Sequence, residues 1–508
     1  MRDPLKLFFQ PLSFSLISLF ILIAPCFGRE SHFTLLFTND QLGQVEPVKE
    51  PDPSKPVGGA ARRMALIEKI RQEVGPSNVI LVDGGDLFTG TALSDLTKGE
   101  VDCAAYQLIG YDAVVLGEHD FDEGEKTLLT FEKDYKIHWV SANVVERSDS
   151  QNFMKSYVLK RIPGLRVGII GFTNPDTPQL TKRENISGLL FNPPSDVAKG
   201  LHSILKKDAD FFIALTHEGL EADKKLAKEN GFLHVIVGGY SRDVLNDPVI
   251  QTNQEGKLVG PLIAQAGSHG LYLGRLDLTV DGDKKHGYAI QDYKYQLIPI
   301  TSDLPEDPQM LALLDKYEKK LKGQSLDEVL TSITGPQINN ERGDSLLGEI
   351  TADAVRKASG ADAALIQSGA IVSDLKAGPF TRENLYETFP YEDDVVTINM
   401  SGKALRKIIQ ESVKKAGDGG FLQISGLVVT QSGADLSIMV GTTPLKDREK
   451  YKVATNGFLA EGGSGYDDFR QMNDREKTGL MVRALLEDTL KSTPTLSSDR
   501  FEKRWNLP

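Results

Sequence analysis

The sequence predicts an α/β fold in two domains joined by a helix. Short apolar runs of strand length end in polar, glycine-rich turns, and stretches of helical periodicity separate them. Beyond residue 300 the pattern restarts after a proline-rich turn region and a charged amphipathic helix. At 508 residues the chain is also longer than one hydrophobic core usually fills.

At the amino end, Arg2 and Lys6 precede an apolar run over residues 12–24. Such a run is too short to span a bilayer but suits the core of a signal peptide over residues 1–28, with Cys26 and Gly28 at the small-residue positions before the cut. Ile23-Ala24-Pro25-Cys26 also has the outline of a lipidation site on Cys26, although Pro25 stands where a small unconstrained residue is expected. An uncleaved anchor is the third reading. No later stretch reaches the roughly 18 apolar residues of a membrane span, so no permanent span is expected in the exported chain.

The first domain is placed at residues 29–300. Its predicted strands are 33–38, 79–82, 113–116, 138–141, 167–172, 211–215 and 235–237, with helical spacing over 61–70 and 197–207. A linker over 301–330 carries a helix at 310–321, with Met310, Leu313, Leu314, Tyr317 and Leu321 on one side. A second domain fills 331–508. Without residues 1–28 the chain loses Arg2, Lys6 and Asp3, which moves the formal net charge from −13 to −14. That acidity argues against nucleic acid or an anionic membrane as partner, because the long-range field repels polyanions. Cys103 is then the one remaining cysteine, so an intrachain disulfide is excluded and large cores must supply the stability. Oligomeric state is left open.

In α/β folds ligands gather at the carboxyl ends of strands. Here those ends read Thr38-Asn39-Asp40-Gln41-Leu42-Gly43, Asp83-Gly84-Gly85-Asp86, Leu116-Gly117-Glu118-His119-Asp120-Phe121-Asp122, Thr216-His217-Glu218 and Gly238-Gly239-Tyr240-Ser241-Arg242. One aspartate at a strand end commonly caps a helix, and one histidine commonly satisfies a local bond. Five such ends at one edge point instead to oxygen and imidazole ligands converging on cations, as phosphoester chemistry requires.

On these residues the chain resembles the 5'-nucleotidases of the calcineurin-like metallophosphoesterase superfamily. The likeness includes Gly58-Gly59-Ala60-Ala61-Arg62, Asp83 to Thr91, and Gln265-Ala266-Gly267-Ser268-His269-Gly270. In the second domain it includes Ser345-Leu346-Leu347-Gly348-Glu349, Gly419-Gly420-Phe421-Leu422-Gln423-Ile424-Ser425-Gly426 and Phe458-Leu459-Ala460-Glu461-Gly462-Gly463. It implies a two-sheet sandwich flanked by helices, a bridging helix, and a smaller α/β substrate domain.

The resemblance also implies site roles. Asp40, position 42, Asp86 and position 242 would hold one cation, and Asp86, Glu118, His217 and Tyr240 a second. Where the family has ligands, this chain has Leu42, which donates nothing, and Arg242, whose guanidinium repels a cation. The resemblance therefore implies at most one divalent ion (zinc, manganese, cobalt or magnesium), and none if both positions are disabled. Arg242 is expected to hydrogen-bond Asp40, Asp86 or both in place of the lost cation, leaving His217 with Glu118 as the remaining metal edge. His119 and Asp122 match the catalytic dyad. Phe421 and Phe458 match a pair of rings that face each other across a nucleobase, with Gln367 and Ser464 beside them. Val372 stands where the family carries arginine. Two functions follow: a nucleotidase or related phosphoesterase of weak or altered activity, or a non-catalytic protein that binds nucleotides or partners on the same scaffold.

Overall fold

A computed structural model describes residues 30–49, 52, 54–252, 258–335, 344–433, 435–497 and 502–508. The signal-peptide and Cys26 readings fall outside these residues. Among the described residues, no helix is long and apolar enough to cross a membrane.

The first domain is a sandwich of two sheets. One has the order Gly287–Pro299, Tyr272–Asp283, Ser31–Thr38, Val79–Asp83, Ala113–Val115, Trp139–Val140, and its last four strands run parallel. The other has the order Leu262–Ala264, Val235–Gly238, Phe211–His217, Leu165–Thr173, Tyr157–Ile162. Side chains alternate across a strand, so one strand serves two cores. Phe33, Leu35 and Phe37 enter the core between the sheets, where they meet Val167, Phe211, Ile213 and Val235. Leu36 faces the opposite way, into a core shared with helix Ala60–Val74. The outer face of the second sheet buries Ile170, Phe172 and Ala214 against Ala198 and Leu205 of helix Pro194–Leu205.

The bridging helix runs Pro308–Lys320, begun by Asp307, whose carboxylate accepts from Gln309 N at 2.8 Å and Met310 N at 3.1 Å. Met310, Leu314 and Tyr317 are buried in the first domain's helical layer. Its apolar stripe thus makes it a packed part of that domain rather than a free spacer.

The second domain is built on a five-stranded sheet, Leu422–Ser425, Ala363–Gln367, Lys450–Asn456, Asp394–Ser401, Arg475–Met481. Helices Leu346–Ser359 and Val482–Lys491 share one of its cores, and Gly402–Lys414 covers the other. The short strand Trp505–Asn506 adds parallel to Leu427–Ser432. Ion pairs join the domains, among them Arg483–Asp95 at 3.3 Å and Lys182–Asp393 at 3.4 Å. Between the domains lies a cleft of about 690 Å³.

Candidate metal centre

Four strand ends of the first domain deliver buried ligand atoms to two overlapping groups that share Asp86. Asp40 follows Ser31–Thr38, Asp86 follows Val79–Asp83, Glu118 follows Ala113–Val115, and His217 closes Phe211–His217. His217 Nε2 lies 3.2 Å from Asp86 Oδ2 and 3.2 Å from Glu118 Oε2. All three atoms are buried and lack a hydrogen-bond partner. Nδ1 of the same ring meets the Gly84 carbonyl at 2.6 Å, which fixes a proton there and directs Nε2 at the carboxylates. Asp40, Asp86 and His217 offer ligand atoms within 4.8 Å of one another, as do Asp86, Glu118 and His119. Unsatisfied buried acceptors of this chemistry fit a divalent cation, since leaving them without a partner is costly.

The backbone permits the convergence. A Cβ at Gly117 would lie 2.1 Å from Asp86 Oδ1, and one at Gly239 would lie 2.7 Å from His217 Nδ1. Asp120, which carries no role in the sequence reading, ties two of the loops together. Its carboxylate accepts from Gly117 N at 2.8 Å, Leu87 N at 2.9 Å and Asp86 N at 3.1 Å. Asn39 does the same for a third loop, donating to Asp40 Oδ2 at 2.7 Å and accepting from Ala266 N at 2.7 Å. Both occur in the quoted strand-end motifs, but neither is a ligand type at a ligand position.

Electrostatics sort the carboxylates. Burial raises the Asp40 pKa to about 7, against the lowering effect of His217. Burial also acts on Asp86, but there the charges of His217 and His119 prevail and hold it well below the usual carboxylate range. Burial works against a charged His217, yet Asp86 and Glu118 push its pKa well above the usual histidine value.

Arg242 departs from expectation. Its Nε is 3.7 Å from Asp40 Oδ1 and its side chain is 45 % exposed. That is an ion pair at the rim rather than a hydrogen bond, and no Arg242–Asp86 pair occurs among the described residues. Main-chain N–H of Tyr240 donates to Asp40 instead, at 3.1 and 3.2 Å. The remaining metal edge is likewise wider than His217 with Glu118, because Asp86 belongs to both ligand groups. Leu42 is buried; its main chain bonds the Asp86 carbonyl at 2.9 Å and its side chain offers no ligand. The Tyr240 ring stands edge-on to His217, centroids 5.9 Å apart, and burial raises its hydroxyl pKa, which disfavours ligation as phenolate.

At the cleft wall, His119 Nδ1 meets Asp122 Oδ2 at 2.9 Å, and Thr89 Oγ1 donates to the same oxygen at 2.8 Å. Burial opposes the imidazolium, but the carboxylates of Asp86 and Asp122 outweigh it and raise the His119 pKa well above its usual value. Across the cleft, Gln367, Phe458 and Ser464 line the opposite wall. Phe421 does not. It is wholly buried, its ring 4.9 Å from Trp505, which anchors its indole N–H on the Leu422 carbonyl at 2.9 Å. The expected pair of facing rings is therefore reduced to Phe458. Val372 is 47 % exposed and outside the cleft lining.

The calcineurin-like phosphoesterase family model matches residues 33–239, and the 5'-nucleotidase C-terminal domain model matches residues 318–471. The chain belongs to the 5'-nucleotidase family of calcineurin-like phosphoesterases. It is 27% identical to protein UshA of Yersinia enterocolitica, with 93% of each chain covered. It is also 27% identical to a 5'-nucleotidase of Vibrio vulnificus, with 92% of each covered. The crystal structure of a 5'-nucleotidase precursor from Thermus thermophilus matches with a TM-score of 0.82 at 27% identity, covering 94% of this chain and 99% of that one. Metal-dependent phosphoester chemistry is the family's setting, and the Asp40, Asp86 and His217 cluster stands in the domain that carries it.

Proposed function

We propose that this chain is an exported phosphoric ester hydrolase of the 5'-nucleotidase type, acting on nucleotides or related phosphate esters through one divalent cation and with reduced turnover. The observation that carries the reading is the convergence of Asp86 Oδ2, Glu118 Oε2 and His217 Nε2, three buried atoms without hydrogen-bond partners. Asp86, Glu118 and His217 would hold the ion, with Asp40 beside them. Export rests on Arg2, Lys6 and the apolar run that follows.

A bound divalent ion supplies a Lewis acid and lowers the pKa of water at the centre. The chain's own residues do the rest. Asp122 holds the His119 ring by Nδ1, so that Nε2 meets the cleft and can balance charge on a phosphate oxygen. Asp120 and Asn39 keep the ligand loops in register. Phe458 offers one ring face to a base, while Gln367 and Ser464 offer polar contacts. Losing one member of a two-cation clamp removes several kcal/mol of transition-state stabilisation, roughly a thousandfold or more in rate.

The second reading, a nucleotide-binding protein without catalysis, is favoured by Leu42 and by Arg242 paired with Asp40. Turnover of a panel of 5'-nucleotides and sugar nucleotides with manganese, zinc or cobalt separates the two. The hydrolase reading expects slow turnover, abolished by chelation and by His217→Ala. Nucleotide binding with no turnover under any metal would establish the binding protein instead.

A further inference from the structure

Tyr391 belongs to the second domain, yet its ring lies over His119 of the first, centroids 5.7 Å apart and planes 20° from parallel. The run Phe389-Pro390-Tyr391-Glu392-Asp393 is clamped from both sides. Arg483 Nη1 donates to the Pro390 carbonyl at 2.8 Å and to that of Phe389 at 3.3 Å, while it pairs with Asp95 of the first domain at 3.3 Å. Its guanidinium also lies 4.0 Å from the Tyr386 ring centroid. From the first domain, Lys182 donates to the Glu392 carbonyl and pairs with Asp393 at 3.4 Å. Such clamping makes the position of Tyr391 a property of the domain arrangement.

The cations that line the cleft are already matched by carboxylates: Lys98 by Glu123 at 3.7 Å, Lys182 by Asp393 at 3.4 Å, Lys415 by Glu411 at 3.9 Å and Arg483 by Asp95 at 3.3 Å. Val372, where the resemblance puts an arginine, is outside the lining. The Tyr391 hydroxyl, by contrast, makes no hydrogen bond among the described residues, and the residue lines the cleft next to His119. A phenol is a neutral donor, so it adds no charge to be desolvated beside the ligand carboxylates.

We propose that Tyr391 is a phosphate-binding residue lent by the second domain, its hydroxyl donating a hydrogen bond to a non-bridging oxygen of the phosphate that His119 faces. The proton stays on Tyr391 and no bond is made or broken there. The ligand class is a terminal phosphomonoester or inorganic phosphate. The proposal deepens the hydrolase reading and rests on phosphate docking at His119.

The test is calorimetric titration of the full manganese-loaded chain with inorganic phosphate and, separately, with adenosine, for wild type and Tyr391→Phe. The phenylalanine keeps the stacked ring and removes only the donor. Loss of a hydrogen bond to a charged acceptor should raise the phosphate Kd roughly tenfold or more and leave the adenosine Kd unchanged. An equal phosphate Kd in the two proteins overturns the proposal, as does a wild type that binds no phosphate or a variant that loses both ligands in parallel. Nucleotide turnover, measured alongside, reports on the hydrolase reading alone: a wild type that turns over nothing but still loses phosphate affinity on Tyr391→Phe leaves the assignment standing.

Discussion

Arg242 stands at the rim of the proposed centre, paired with Asp40 but not buried in place of a cation. Asp40 is fully buried, and its carboxylate is satisfied chiefly by Tyr240 N–H and Asn39. Arg242 adds only a pair at 3.7 Å from a half-exposed position. With Asp40 already satisfied by main-chain and amide donors, a long pair to a half-exposed, solvent-screened guanidinium contributes at most about 1 kcal/mol. Arg242→Ala should therefore leave thermal stability within about 1 kcal/mol of wild type, while removing a positive charge beside the centre should raise manganese affinity by about severalfold. Unchanged metal affinity would show that Arg242 does not bear on the centre. The sequence made the substitution legible but not its geometry, because a long side chain at a loop with positive φ can end in several places, and here it ends at the rim. Phe421 was hidden for a similar reason: Trp505, distant in the chain, decides its burial.

At the scale of elements, the candidate ligand loops were legible because strands end where their apolar runs end, and the candidate ligands sit within the polar turns at those ends. What the sequence did not show is the polar packing beneath them. Helices Ala92–Thr97 and Glu100–Ile109 bury Asp102, whose Oδ2 accepts from Ser94 Oγ at 2.6 Å while Oδ1 lacks a partner. Burial raises its pKa to about 7 from an ordinary 3.8, against the lowering effects of Ser94 and Arg63. The folded state thus holds this proton more tightly than the unfolded chain does. Its contribution is complete below pH 4 and is lost as pH rises to about 7. Asp102→Asn, which cannot ionise, should lack that loss. Denaturant melts from pH 4 to 7 should show wild type losing of order a few kcal/mol relative to the variant, and parallel pH profiles would contradict the assignment.

For the whole molecule, periodicity was enough to foresee an α/β first domain, a bridging helix and a second domain, because each depends on local alternation of apolar residues, whereas the two-sheet sandwich and the α/β second domain came from the family resemblance. Contacts between domains carry no such signal. Tyr391 over His119, and Arg483 reaching Asp95, bring together residues far apart in sequence whose types alone mark nothing. The bridging helix was foreseen as a linker, but Met310, Leu314 and Tyr317 seat it in the first domain's core. The proposed centre stands at four strand ends: at the two positions where the resemblance puts ligands, Leu42 and Arg242 offer none, while Asp86, Glu118 and His217 bring three buried, unpartnered atoms together. These three are proposed to hold one divalent ion. Elemental analysis of the purified mature chain after manganese loading and desalting measures this directly. One tightly held ion per chain, absent in His217→Ala, is the expected result; two ions per chain at full occupancy, or one that survives His217→Ala, would contradict it.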